Sequence, residues 1–253
     1  MMTEPATPNQ LVRDVRAAEE AGFDFSLSSD HYQPWLESQG HSGYAGSILG
    51  AAAQATDRIP LMTYVTCPIL RYHPAVVAQK AATMQILSGG SFRHELGSGE
   101  NLNEHVVGMD WPAVGTRHEM FSKAVDIISG LFDAPESFNF RGKHYNVDSA
   151  RLWDLPETRM PIGIAVSGRD SCRLAGEKGD IMIATGPLPE LGEMFDEFGG
   201  SGKPRVGQIA VAYDTDRDRA VERAHDQFRW FGLGWRSTPT CPARRLSRLP
   251  PRS

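Results

Sequence analysis

Two side chains in this sequence are suited to moving a proton near neutral pH. His31 stands in SDHYQPW and Glu100 in LGSGENLNEH. An imidazole titrates near neutrality and a partly buried carboxyl can be raised toward it, so the two could form an acid–base pair, with Trp35 nearby. Each also has a plainer reading, His31 as a hydrogen-bonded structural residue and Glu100 as a helix cap. Gly97 and Gly99 let the backbone approach a ligand closely, and the amides they expose can hold carbonyl or phosphate oxygens. Ser167-Gly168-Arg169-Asp170-Ser171 opens a helix and reads equally as a phosphate cradle or as an ordinary capped helix start. His41, His73, His105, His118, His144 and His225 show no metal-ligand spacing, so no metal is assigned. Cys67, Cys172 and Cys241 fit neither a disulfide framework nor a zinc pattern and read as small buried hydrophobes of a reducing compartment.

The elements that must position these residues alternate along the chain. Thr7, Pro8 and Gln10 make a T-x-x-Q start for a helix with Leu11, Val12, Val15 and Ala18 on one stripe and Gly22 at its end. Further helices are expected near 43–56, 74–88, 115–133, 168–178, 188–198 and 215–231. Strands are expected near 23–29, 60–66, 91–97, 161–166, 180–185 and 206–213. Between Ala134 and Met160 the run SFNFRGKHYNV reads as a hairpin insertion. Phe228, Trp230, Phe231 and Trp235 read as the core-facing side of the last helix. Such alternation means a parallel sheet flanked by helices, either doubly wound or a (β/α)8 barrel, with ligands at the carboxyl ends of the strands. No G-x-G-x-x-G follows the first strand, which removes the main sign of a dinucleotide fold.

The 253 residues are 40% hydrophobic and 23% charged, enough for one globular domain with a real core. A net charge of -5 gives no global positive field, so neither nucleic acid nor an acidic membrane is an expected partner. The polar N-terminus and the lack of a long apolar run point to the cytoplasm. Residues 1–235 are treated as one domain. From Arg236 to Ser253 five Arg and four Pro occur with no acid. This tail reads as a basic arm or as a disordered extension, and the second is preferred.

Taken in order, SDHYQPW, TYVTCPILRYHPAVVAQKAATMQILSGG and LGSGENLNEHVVG resemble the luciferase-like superfamily, in the coenzyme F420 (deazaflavin) oxidoreductase branch that includes F420-dependent glucose-6-phosphate dehydrogenase. The resemblance covers about Thr3 to Trp235. It implies a (β/α)8 TIM barrel and hydride transfer between an alcohol, hemiacetal or related carbonyl compound and C5 of F420. By matched motif it implies that His31 is the acid–base residue, Glu100 the proton partner and Trp35 the aromatic wall beside the reacting ring. Asp30, Cys67, Gly97, Ser98, Gly99 and Asn103 are implied as cofactor contacts, and Ser167, Gly168, Asp170 and Ser171 as the phosphate-tail loop. Tyr64-Val65 falls where the family has a non-prolyl cis bond beside the cofactor.

Departures from the family bear on substrate and integrity. The loop TGPLPE lacks the Lys that the sugar-phosphate dehydrogenases carry, so glucose 6-phosphate is not the expected substrate. Arg93, His94 and Glu95 bring charge into a barrel strand, where some must be paired or solvated. The first barrel strand and the C-terminal strands are not recognisable, so an incomplete barrel is expected, with two open edges that a homodimer would shield. Two other readings stand beside this one: an FMN-dependent luciferase-like monooxygenase, and a truncated, non-catalytic remnant of the family.

Overall fold

Thr7 starts the first helix, its Oγ1 accepting from the Gln10 amide at 3.4 Å, with Pro8 following. The capping box is only half made, because the Gln10 side chain turns down the helix to Asp14 at 2.7 Å instead of back to Thr7. The computed structural model describes residues 3–134 and 136–229. The tail 236–253, Trp230, Phe231, Trp235 and Cys241 lie outside the described residues.

Helix α1 (Pro8–Glu20) leads to β1 (Ser26–Ser28), α2 (Ala45–Ala55), β2 (Leu61–Thr63), α3 (Pro74–Leu87) and β3 (His94–Leu96). A short α4 (Asn101–Glu104) and the long α5 (Val114–Asp133) precede the hairpin β4 (Phe138–Arg141) and β5 (Asn146–Ala150). Then come β6 (Ile162–Val166), α6 (Arg169–Lys178), β7 (Ile181–Ala184), α7 (Pro189–Phe195), β8 (Arg205–Gly207) and α8 (Arg217–Phe228). β1 pairs with β2, β3 with β6, β6 with β7 and β7 with β8, all parallel. Bridges from Met62 to Arg93 and from Thr66 to Leu96 join β2 to β3. Among the described residues, six parallel strands therefore run in the order β1-β2-β3-β6-β7-β8. This is the strand–helix rhythm of a (β/α)8 barrel, with β1 and β8 at the sheet's two ends.

Helices cover the sheet through one apolar cluster in which Leu96, Ile164 and Met182 meet Val77, Ala81, Ala124 and Ile128. The many alanines let helix and sheet approach closely. Glu19, at the end of α1, pins the segment entering β2: its carboxylate accepts from the amides of Arg58 at 2.7 Å and Ile59 at 2.8 Å. Those bonds, the Arg58 amide foremost, hold its carboxyl below the ordinary range.

The hairpin lies where expected. Gly130 of α5 allows Phe138 onto the helix, since a Cβ there would meet the Phe138 ring at 2.3 Å. Tyr145 is buried and its hydroxyl donates to the Ile69 carbonyl at 3.1 Å, tying the hairpin to the loop after β2.

Two expectations are corrected, and a third is met only by the half-buried Arg93. The last strand is Arg205–Gly207 and not 206–213, because Ile209, Val211 and Tyr213 find no apolar cover among the described residues. Helix α8 buries none of its residues, and Phe228 is only half-buried, so the core-facing reading fails for it. His94 and Glu95 are neither solvated nor paired. Both are buried, and neither the His94 nitrogens nor the Glu95 carboxylate oxygens have a hydrogen-bond partner among the described residues. The register sets Glu95 opposite Gly163, whose missing side chain leaves the carboxyl its space. Burial makes the neutral form the cheaper one for each, lowering His94 to about 3 and raising Glu95 to about 8. Among the described residues no helix is long and apolar enough to cross a membrane.

Candidate functional site

His31 follows β1 at the carboxyl end of the sheet, and its nearest charged partner is one that sequence spacing does not point to. Glu4 Oε1 lies 2.7 Å from His31 Nδ1, across 27 residues of sequence. Glu4 is 2% exposed. It is held in place by the Thr3 amide, which donates to its Oε2 at 3.0 Å, and by its own carbonyl, which accepts from the His41 amide at 3.0 Å. Burial works to raise the Glu4 carboxyl, but the His31 hydrogen bond and charge outweigh it and leave the pKa lowered. An ionised Glu4 can only accept, so Nδ1 carries the proton and Nε2 is the free basic nitrogen. Burial opposes charge on His31 as well. The hydrogen bond and charge of Glu4, with smaller contributions from Glu100 and Asp30, overcome it and raise the imidazole pKa.

Trp35 stands edge-on to His31, ring centres 5.3 Å apart, and is buried with Leu36 and Leu102. Glu100 precedes α4, and its Oε2 is shielded from solvent with no hydrogen-bond partner among the described residues. Burial raises its pKa, with Glu4 and Glu104 adding and His31 opposing, so Glu100 tends to hold a proton. The structure therefore brings His31, Trp35 and Glu100 together as expected, and adds Glu4.

The candidate cofactor contacts divide into two groups. Asp30 is buried and its oxygens already have protein partners: Thr66 Oγ1 donates at 2.7 Å, Tyr72 OH at 3.2 Å and Arg71 at 3.4 Å, with Lys80 Nζ at 3.9 Å. Asn103 Oδ1 accepts from the Tyr32 and Gln33 amides at 2.8 and 3.1 Å, clasping the loop that carries His31. Ser171 Oγ accepts from the Ser167 and Gly168 amides at 2.9 and 3.1 Å, as in an ordinary capped helix start. Replacing Ser171 by alanine should therefore cost about 1 kcal/mol, read as a Tm lowered by roughly 2–4 °C. An unchanged Tm would mean that the hydroxyl serves another partner.

The second group forms the open part of the site. The Tyr64-Val65 peptide is cis, as the resemblance implies. Val65 packs on Gly97, where a Cβ would meet its Cγ2 at 2.5 Å. Gly99 has φ +74, and a Cβ there would lie 2.3 Å from Cys67 Sγ, so a side chain at that turn is excluded twice over. The Cys67 thiol is buried and its pKa is raised by that burial, which leaves it a neutral wall. Ser98 lies half-buried in the same turn. Gly168 and Gly186 face open space, and Asp170 is exposed at the start of α6. Tyr64 OH donates to the Ala184 carbonyl at 2.8 Å, bracing the end of β2 against the end of β7.

A family model described as luciferase-like monooxygenase matches residues 1–252. The chain belongs to the luciferase-like family. Among relatives of this luciferase-like chain, the F420-dependent glucose-6-phosphate dehydrogenase of Beutenbergia cavernae is 37% identical over 236 residues, covering 87% of this chain and 68% of that protein. The F420-dependent hydroxymycolic acid dehydrogenase of Mycobacterium tuberculosis is 40% identical over 232 residues, covering 88% of this chain and 63% of that one. Among solved structures, an F420-dependent secondary alcohol dehydrogenase in complex with an F420-acetone adduct aligns with TM-score 0.88 and 29% identity, over 96% of this chain and 77% of that chain. An F420-dependent tetrahydromethanopterin reductase from Methanopyrus kandleri, at 19% identity and TM-score 0.71, shows the shared fold.

Glu4, Arg71 and Glu104 are the residues that sequence reasoning missed. Arg71 carries a signal in hindsight, since it is the one Arg or Lys of a loop already under suspicion. Its side chain is buried between Asp30 and Glu104. Glu4 carries none, because nothing in TEPAT marks a residue that will meet the end of β1.

Proposed function

We propose that this luciferase-like protein is an F420-dependent oxidoreductase that moves a hydride between an alcohol, hemiacetal or related carbonyl compound and C5 of the deazaflavin. The observation that carries the reading is the buried His31–Glu4 pair beside a Glu100 oxygen that has no partner among the described residues. The F420-dependent relatives support it.

The residues present fit the cofactor. Glu100 offers a shielded carboxyl proton, Gly97 to Gly99 form a tight turn, and Gly168 opens onto free space at the start of α6. The ring would lie against the Gly97-Ser98-Gly99 turn, Cys67 and the Tyr64-Val65 peptide. Its phosphate tail would meet the first amides of α6 beside Asp170, with Ser167, Gly168 and Ser171 holding that turn in shape. When bound, the deazaflavin supplies the hydride acceptor. His31 Nε2 takes the hydroxyl proton as hydride leaves the same carbon, and Glu4 stabilises the charge that His31 gains. The Glu100 carboxyl would hold a proton at the cofactor side of the site, and Trp35 would limit where the substrate carbon can sit. Asp30 acts through structure, fixing the residue next to His31, while Asn103 holds the loop beyond it.

A small neutral molecule is the partner this reading requires, and two free buried thiols, Cys67 and Cys172, suit the cytoplasm as its compartment. A homodimer covering the ends of the sheet, with no role for nucleic acid, completes the proposal. Fluorescence titration with F420, and with FMN in parallel, tests it. Saturable quenching by F420 but not by FMN is expected. Preference for FMN would turn the reading toward the flavin monooxygenases, and silence with both would end it.

A further inference from the structure

Resting on the oxidoreductase reading, the charge around the site narrows its substrate. We infer that the alcohol or ketone taken here is uncharged, carries an apolar body, and is selected against phosphorylated or carboxylated analogues.

The loops leaving the carboxyl ends of the six parallel strands span residues 29–44, 64–73, 97–113, 167–168, 185–188 and 208–216, and together they hold one Arg and no Lys. That residue, Arg71, is buried and already bound to Asp30 and Glu104, with its NH2 also donating to the Asp30 carbonyl at 2.5 Å. The same loops hold seven Asp and Glu. Arg71 answers two of them, and Arg219 and Arg223 of α8 answer Asp214. Glu37, Glu100 and Asp110 have no ion pair among the described residues, and Glu4 enters the site from the N-terminal segment. Four histidines, His31, His41, His73 and His105, stand in the same loops; Glu4 holds His31, and the His73 and His105 rings bond the backbone of their own segments. Arg169, at the start of α6, is bound by Glu197. Arg117, in the first turn of α5, has no ion pair among the described residues, but it stacks on Trp111 and its Nη1 donates to the Pro112 carbonyl at 2.7 Å, and Lys80 lies 3.9 Å from Asp30. A phosphate or carboxylate entering this mouth would lose water and meet cations that the protein already engages, with Glu37 and Asp110 in the same loops.

What the mouth does offer is apolar. Tyr32 is 57% exposed, Met109 56% and Leu188 48%. Tyr32 directly follows His31 and is clasped to α4 by Asn103, and Val107 and Met109 continue the chain from α4. Leu188 lies in the loop after β7, on the end of the sheet that Tyr64 braces to β2. These side chains lie in loops at the same end of the sheet as His31, loops that hold no Lys or Arg, and an aliphatic or alicyclic body would cover them.

The test compares ligands that differ in charge. Calorimetric titration of the full chain, with and without F420, uses 2-octanol, octanoate and glucose 6-phosphate. 2-Octanol should bind at least tenfold more tightly than either anion in both states, and the order of kcat/KM in F420 reduction should follow. Equal affinities, a reversed order, or no 2-octanol binding in either state overturns the inference. If F420 fails to bind while the 2-octanol preference persists, the oxidoreductase reading falls and the selectivity stands. If F420 is reduced faster with glucose 6-phosphate, the selectivity falls and the oxidoreductase reading stands. Leu188→Lys, at an exposed loop position, should narrow the gap for octanoate at least threefold at low salt, with the gap reopening as salt screens the new charge. An unchanged gap would overturn the electrostatic argument.

Discussion

His31→Ala should lower alcohol oxidation by about 10²–10⁴-fold, the usual contribution of a positioned general base, while F420 affinity changes little. The ring touches Glu4 and Trp35, and in the proposed reaction its free Nε2 faces the hydroxyl. Equal losses in turnover and in cofactor affinity would sink the assignment. Glu4→Gln separates charge from shape. Its amide oxygen can still accept from Nδ1, but the ionic support is gone. Because Glu4 raises the His31 pKa above its ordinary 6.5, oxidation should rise with pH along a limb lying above that value, as the imidazole becomes the free base. In Glu4→Gln that limb should move to lower pH and maximal turnover should fall. A purely structural Glu4 would leave the limb where it was. Trp35→Phe is the companion control, since it keeps an aromatic wall and should leave the limb unmoved.

Stability should show a flat-topped dependence on pH, set by two adjacent residues of β3. Glu95 is 0% exposed and titrates near 8 in the fold against 4.5 when unfolded. Burial is the main cause, with Arg93 opposing it and Asp180 adding to it. Between those values the folded state holds the extra proton, so stability falls as pH rises. His94 runs the other way. Burial, assisted by Lys80 and opposed by Asp30, takes it from 6.5 to about 3, so the unfolded state holds the extra proton and stability falls as pH drops. Between 4.5 and 6.5 the two slopes cancel. From pH 6.5 to 8 Glu95 acts alone and should remove about 2 kcal/mol. Glu95→Ala should abolish that alkaline limb and stabilise the fold above pH 8 on the order of 4 kcal/mol, before any change in packing. Urea unfolding at pH 5.5, 6.5 and 8.5 measures both. A limb that survives in Glu95→Ala, or a variant less stable at pH 8.5, refutes the account. His94→Leu is its mirror and should flatten the acid side.

Much of the barrel was legible because its signals are local. Thr7 with Pro8, the alanine-rich 74–87 run and the glycines after β3, β6 and β7 mark helices and turns within a few residues. The loops that follow strands were legible for the same reason, which is how His31, Trp35 and Glu100 could be named together. Contacts that depend on distant segments were not. Glu4 reaching His31, Glu19 reaching Arg58 and Tyr145 reaching Ile69 join residues that no periodicity links. The reading of β3 held only in part. It expected some of Arg93, His94 and Glu95 to be paired or solvated, which the half-buried Arg93 meets, whereas His94 and Glu95 give up their charge and keep their places. The final strand failed because IAVAY has the alternation of a strand, but Ile209 and Val211, each 74% exposed, have no apolar surface to lie on among the described residues. Alternation describes what a segment could pair with, not whether a partner is present.

The Asn103 clasp makes one residue answer to two binding events. Its helix begins where the glycine turn for the cofactor ends, and its side-chain oxygen holds the backbone just past His31, on the substrate side. Whatever orders one of these segments lowers the entropy left to lose in the other. Linkage then requires the effect to be mutual: if cofactor tightens alcohol binding by some factor, alcohol tightens cofactor binding by the same factor. Cutting the clasp with Asn103→Ala would leave two sites that fill independently.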